Sequence, residues 1–120
     1  MTLERTPGPA GASYSAGVAA RGAGTWIHVS GQIAPEGDLA QQTEACFDQI
    51  ASVLARHGAS LKDLVRITAY LTSLDEYSEY ARVRGEKFGD ALPASAAVQV
   101  AGLLQGALVE IDAVTFVAAS

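Results

Sequence analysis

Cysteine is almost missing from this chain. Cys46 is the only one in 120 residues, so no intramolecular disulfide staples the fold, and two histidines far apart in sequence make no metal-ligand set. Cations are scarce too. Eight lysines and arginines against thirteen acids give a formal net charge of −5. With no basic cluster to displace phosphate counterions, nucleic acid is not expected as a partner, and neither is a membrane surface. No apolar run reaches the length of a membrane span, and the start Met1-Thr2-Leu3-Glu4-Arg5 lacks the cationic end and apolar stretch of a signal peptide. These absences point to a cytoplasmic protein without metal, cofactor or redox staple. What remains is rather apolar, 49% hydrophobic against 18% charged. On so short a chain this implies a single domain over residues 1–120 and favours an oligomer over a monomer.

Read in order, residues 1–13 are rich in Gly, Pro, Ala and Ser and are expected to form an extended lead-in. Residues 14–19 then suit a short strand and residues 21–24 a turn. Residues 25–30 alternate, with Trp26, His28 and Ser30 on one face and Ile27 and Val29 on the other, and Gly31 is expected to end the strand. Asp38 with Gln41 resembles a capping box opening a helix to about His57, stopped by Gly58. Phe47, Ile50, Ala51 and Leu54 form its packing stripe; Cys46 borders it as a small core residue, and His57 is expected to be a surface cap. Residues 64–72 read as a strand with Val65, Ile67, Ala69 and Leu71 toward the helices and Arg66, Thr68, Tyr70 and Thr72 opposite. Ser73 with Glu76 resembles a second capping box, for a helix to about Gly89 on which Tyr77, Ala81, Arg84 and Phe88 share one stripe. Strands and helices in this order give an α+β layer of helices against one sheet.

The last quarter carries the chemistry. Residues 93–100 and 108–117 each alternate with period two, and Gly102 and Gly106 between them suggest two strands joined by a short turn. In the second strand Val109, Ile111, Ala113, Thr115 and Val117 share one face, and Leu108, Glu110, Asp112, Val114 and Phe116 the other. Two carboxylates roughly 7 Å apart on an otherwise apolar strand are close enough to feel each other's charge, which makes them candidates for acid–base chemistry.

The run Pro93-Ala94-Ser95-Ala96-Ala97-Val98-Gln99-Val100, followed by Gly106-Ala107-Leu108-Val109-Glu110-Ile111-Asp112-Ala113-Val114, resembles the C-terminal signature of the RidA (YjgF) family. Val29-Ser30-Gly31-Gln32-Ile33 and Tyr14-Ser15-Ala16-Gly17-Val18 are similar to further family segments, in the family's order along nearly the whole chain. The resemblance implies a chorismate-mutase-like homotrimer with a small-molecule cleft at each subunit interface, and hydrolysis of reactive enamines or imines. It assigns Glu110 to water activation and Tyr14 to a cleft hydroxyl, with Ser30, Gly31 and Ala97 lining the cleft. One departure matters. Where family deaminases carry an arginine that grips the substrate carboxylate in a bidentate fork, this chain has Ser95, and no arginine follows Arg84.

The expectation is therefore a divergent member, not a standard 2-aminoacrylate deaminase, that acts on a small enamine, imine or neutral carbonyl compound through Glu110. A noncatalytic metabolite-binding trimer is the alternative, and ribonuclease-type translation inhibition is a weaker one. Two further residues bear on the ligand. Arg84 is expected to pack its stem and snorkel its head into water, the other reading being that it reaches the cleft. His28 is expected to be a packing residue, the other reading being an acid–base couple with Glu110.

Overall fold

The protein is described by a computed structural model covering residues 3–120. Among these residues one mixed sheet holds six strands: β1 (Leu3–Pro7), β2 (Ser15–Ala20), β3 (Gly24–Gln32), β4 (Leu64–Leu71), β5 (Ala94–Gln99) and β6 (Val109–Ala118). They lie in the order β1-β2-β5-β4-β6-β3. Helices α1 (Leu39–Ala55) and α2 (Tyr77–Phe88) cover one face, the α+β architecture expected. The core between the layers is built from Phe47, Ile50 and Leu54 of α1, Ile67, Ala69 and Leu71 of β4, and Val109 and Ile111 of β6, all buried. Phe47 and Phe88 meet edge to face at 5.1 Å and join the helices.

The first capping box forms as expected. Asp38 Oδ1 accepts from the Gln41 N–H and Gln41 Oε1 from the Asp38 N–H, both at 2.9 Å. The second does not. Ser73 Oγ accepts from the Asp75 N–H at 3.1 Å, and α2 opens later, at Tyr77, with Glu76 as an N-cap that makes no side-chain bond. The intervening residues are committed to a turn, with the Leu74 N–H held by Gln99 Oε1 at 3.2 Å and the Tyr77 N–H by the Leu74 carbonyl at 3.1 Å.

Three further differences concern the sheet. Residues 3–7, read as lead-in, pair antiparallel with β2 as an edge strand. The last two strands are not hairpin partners. β4 lies between them, parallel to β5 and antiparallel to β6, and its C-terminal end holds both ends of their connection, through Val100 N–H to Leu71 O at 2.8 Å and Thr72 N–H to Leu108 O at 3.1 Å. Gly31 does not end β3 but lies inside it, at a shift in the β3–β6 register between Val29 and Gln32. The face opposite the helices carries Trp26 and His28 of β3, Val114, Asp112 and Glu110 of β6, and Thr68 and Tyr70 of β4. Trp26 packs on Phe116 with ring centroids 4.8 Å apart, yet remains 51% exposed.

Candidate functional site

Strict alternation along β6 buries Val109, Ile111, Ala113 and Thr115 and leaves Glu110, Asp112 and Val114 half-buried on the open face. Their surroundings then separate the two carboxylates. Tyr70 Oη donates to Asp112 Oδ2 at 3.1 Å, and that hydrogen bond, with the carboxylate's charge, pushes the Tyr70 phenol above its ordinary pKa. Glu110 accepts no side-chain hydrogen bond and makes no ion pair among the described residues. Its carboxyl lies over Gly31. A Cβ on residue 31 would meet Glu110 Cδ at 2.8 Å and Cγ at 3.0 Å, so the missing side chain is what gives the carboxyl its place.

Beneath this point, Cys46 Sγ donates to the Gln32 carbonyl at 3.2 Å. Burial, and next the Glu110 charge, push the thiol up to about 11. Cys46 is thus the core residue expected and not a nucleophile.

A second cluster forms around Arg84. Ser95 and Ala97 pair with Ile67 and Ala69, so they face the helices. There Arg84 is only 2% exposed. Its head does not snorkel. Nε and Nη2 donate to Ser13 Oγ at 3.1 and 2.9 Å, Nη1 to Ser95 Oγ at 3.2 Å, and Nη2 also to Tyr77 Oη at 3.1 Å. The rings of Tyr14, Tyr77 and Tyr80 surround Cζ at 5.3, 5.8 and 5.1 Å. Gly85 lets the loop before β2 close over this head, since a Cβ there would meet Ser13 Cβ at 3.2 Å, and Ser13 Oγ donates to the Ala81 carbonyl at 3.0 Å. A pocket of about 320 Å³ opens beside the guanidinium, lined by Tyr14, Leu74, Tyr77, Arg84, Ser95 and Ala97. Tyr80 is fully buried with its hydroxyl unpaired, and burial raises its pKa against the opposing charge of Arg84.

The sequence-derived site residues thus fall into two groups. Tyr14, Arg84, Ser95 and Ala97 share the pocket. Glu110 and Gly31, with exposed Ser30 beside them, form the other group on the opposite face of the sheet, because Glu110 pairs with Tyr70 and not with a residue of the Ile67–Ala69 set. His28 joins neither. It is exposed on β3 opposite Val114, four residues and roughly 13 Å along β6 from Glu110, so the couple with Glu110 does not form within the protomer. Ser13, Tyr77 and Tyr80 were not singled out as site residues. Tyr77 is signalled by its seven-residue spacing from Arg84 on one helix, whereas nothing local marks Ser13.

Among the described residues no helix is long and apolar enough to cross a membrane, and no group of side chains is arranged to hold a metal ion. Compared with known proteins, residues 4–117 match the family model described as endoribonuclease L-PSP. A RutC family protein of Pyrococcus abyssi is 36% identical over 94% of this chain and 92% of its own. A 2-iminobutanoate/2-iminopropanoate deaminase of Bos taurus is 33% identical over 71% of this chain and 61% of its own. Among solved structures, a member of the YjgF/YER057c/UK114 family from Mycobacterium tuberculosis superposes with a TM-score of 0.76 at 30% identity, covering 96% of this chain and 99% of that one. RidA from an Antarctic Psychrobacter gives 0.75 at 28% identity, covering 98% and 99%.

Proposed function

Because the chain belongs to the YjgF/RidA family, whose endoribonuclease L-PSP model spans residues 4–117, we propose that it hydrolyses a small enamine or imine in a cleft closed between protomers of a homotrimer. The observation that carries this is Glu110, a carboxylate with no partner among the described residues of its own protomer, seated over Gly31 on an open sheet face. The pocket with Tyr14 and Ser95 lies on the other face, so one protomer's carboxylate meets a pocket only when a second copy supplies it. An enamine first gains a proton at carbon and loses one from nitrogen to give the imine. Glu110 then takes a proton from water as the water oxygen bonds to the imine carbon and passes it to nitrogen, giving a carbinolamine. It next moves the hydroxyl proton to nitrogen as the C–N bond breaks and the C=O bond forms, leaving a carbonyl compound and ammonia. Tyr14 supplies a hydroxyl to the cleft.

The similarity to a protein named as an imine deaminase supports this class of substrate. The grip differs from the family's, since Ser95 stands where the gripping arginine would be. A trimer that binds a metabolite without turning it over is the second reading, favoured by the placing of each protomer's own pocket and its own Glu110 on opposite faces of the sheet. Ribonuclease activity ranks behind both. The matched family model carries that word, but a chain of net charge −5 has little with which to hold a phosphate backbone.

The test is turnover of an imine generated in situ from 2-aminobutanoate by an amino-acid oxidase, with semicarbazide competing for the imine. Glu110→Gln should lose most of the activity at unchanged oligomeric state, and Asp112→Asn much less. Full activity in Glu110→Gln leaves the binding-protein reading in front.

A further inference from the structure

We infer that Arg84, carried by helix α2, is this protein's anion-binding residue, and that with the hydroxyls of Ser95 and Tyr77 it selects a ligand bearing one carboxylate. The inference rests on the pocket proposed above as part of the cleft, and it names what that pocket takes.

A guanidinium is buried at a high cost in solvation, which an acidic partner normally offsets. Arg84 has none among the described residues, and its acceptors are the three neutral hydroxyls of Ser13, Ser95 and Tyr77. Three tyrosine rings return part of the cost. They do not supply a counter-charge, so the site is short of one negative charge.

The donors left over say where that charge belongs. Of five guanidinium N–H groups, the one on Nε and both on Nη2 are taken, and one of the two on Nη1 goes to Ser95. The second Nη1 proton meets no aligned acceptor among the described residues, although the buried Tyr80 hydroxyl lies close to both Arg84 and Ser95. Ser95 and Tyr77 accept from the guanidinium, and their own protons reach no acceptor among the described hydrogen bonds, whereas Ser13 spends its proton on the Ala81 carbonyl. One N–H and the hydroxyls of Ser95, Tyr77 and Tyr14 border a pocket whose lining contains no acid and no second cation. Ser95 and Tyr77 are stronger donors for accepting from a cation. A single positive charge fits a monoanionic, planar carboxylate better than a phosphate dianion. The positive charge lost with the residue replaced by Ser95 is thus restored from the helix side of the same strand, with Ser95 as intermediary.

Calorimetry with 2-oxobutanoate, its neutral counterpart butanone, and inorganic phosphate tests this. The wild type should bind 2-oxobutanoate at least tenfold more tightly than either other probe. Arg84→Met should abolish the preference, and Ser95→Ala and Tyr77→Phe should each weaken the acid about threefold to tenfold. A structural role gives a different thermal signature. Arg84→Met without ligand should melt at or above the wild type, because it removes an uncompensated charge.

Equal binding of acid and ketone, tighter binding of phosphate, acid binding unaffected by both hydroxyl deletions, or a large drop in melting temperature for Arg84→Met would each overturn the inference. Carboxylate preference without Glu110-dependent turnover sinks the catalytic proposal alone, and Glu110-dependent turnover of a neutral enamine without that preference sinks this one alone.

Discussion

Gly31→Ala puts a single methyl group against the Glu110 carboxyl. Residue 31 has no positive φ, so the backbone accepts alanine and the perturbation is purely one of space. The new methyl would press on Glu110 Oε2 most closely and lie 2.8 Å from Cδ and 3.0 Å from Cγ, where 3.4–4 Å is ordinary contact, and the carboxyl must withdraw by roughly 1 Å to restore normal separations. It is the far end of a flexible, half-buried side chain, so the withdrawal costs about 0.5–1.5 kcal/mol of rotamer strain. Stiffening the unfolded chain returns about 0.4–1 kcal/mol. Stability should therefore stay within about 1 kcal/mol of the wild type by urea denaturation.

Activity should not. A displacement near 1 Å in a proton-transferring group costs on the order of 10²-fold, about 2.7 kcal/mol in barrier. The assay is kcat/KM on the in situ imine for Gly31→Ala, Glu110→Gln and the double variant. Because Gly31 acts only through Glu110, the double variant should be no slower than Glu110→Gln alone. A Gly31→Ala protein within threefold of wild type, or losses that multiply in the double variant, would refute the placing of the chemistry at this carboxyl.

Cys46, with its thiol held up to about 11 against an ordinary 9.0, should resist alkylation at pH 8 until the protein is unfolded. A raised acid pKa favours the fold fully below pH 9, and that contribution fades as pH rises through 11, so the urea midpoint should fall in that window for wild type and less for Cys46→Ala. The Tyr70 phenol, raised by Asp112, should ionise nearer its ordinary value in Asp112→Asn, as read by ultraviolet titration; an unchanged titration would deny the hydrogen bond its role. Sedimentation at micromolar concentration should show a trimer, and a monomer there would remove the inter-subunit cleft.

What the sequence disclosed follows the range of the forces involved. The capping box at Asp38 involves residues three apart, and the two faces of β6 follow from strict alternation, so both were readable locally. β1 was not, because Leu3–Pro7 has no apolar alternation and becomes a strand only by borrowing the free edge of β2. Nor could local pattern show that β4 separates the last two strands, since adjacency in a sheet is decided by partners elsewhere in the chain. Arg84 is the clearest failure. Its helical stripe was legible, but whether its head turns to water or inward depends on Ser13, 71 residues away, and on tyrosines from two elements.

The position of β3 in the sheet also bears on how this chain is made. β3 pairs with β6 alone, and β6 is the last strand in the sequence. A ribosome therefore delivers the buried Ile27 and Val29 long before the strand that pairs with them among the described residues. Through that interval the β3 edge has no partner from its own sheet, and the strand is exposed to pairing with other chains until Val109–Ala118 emerges.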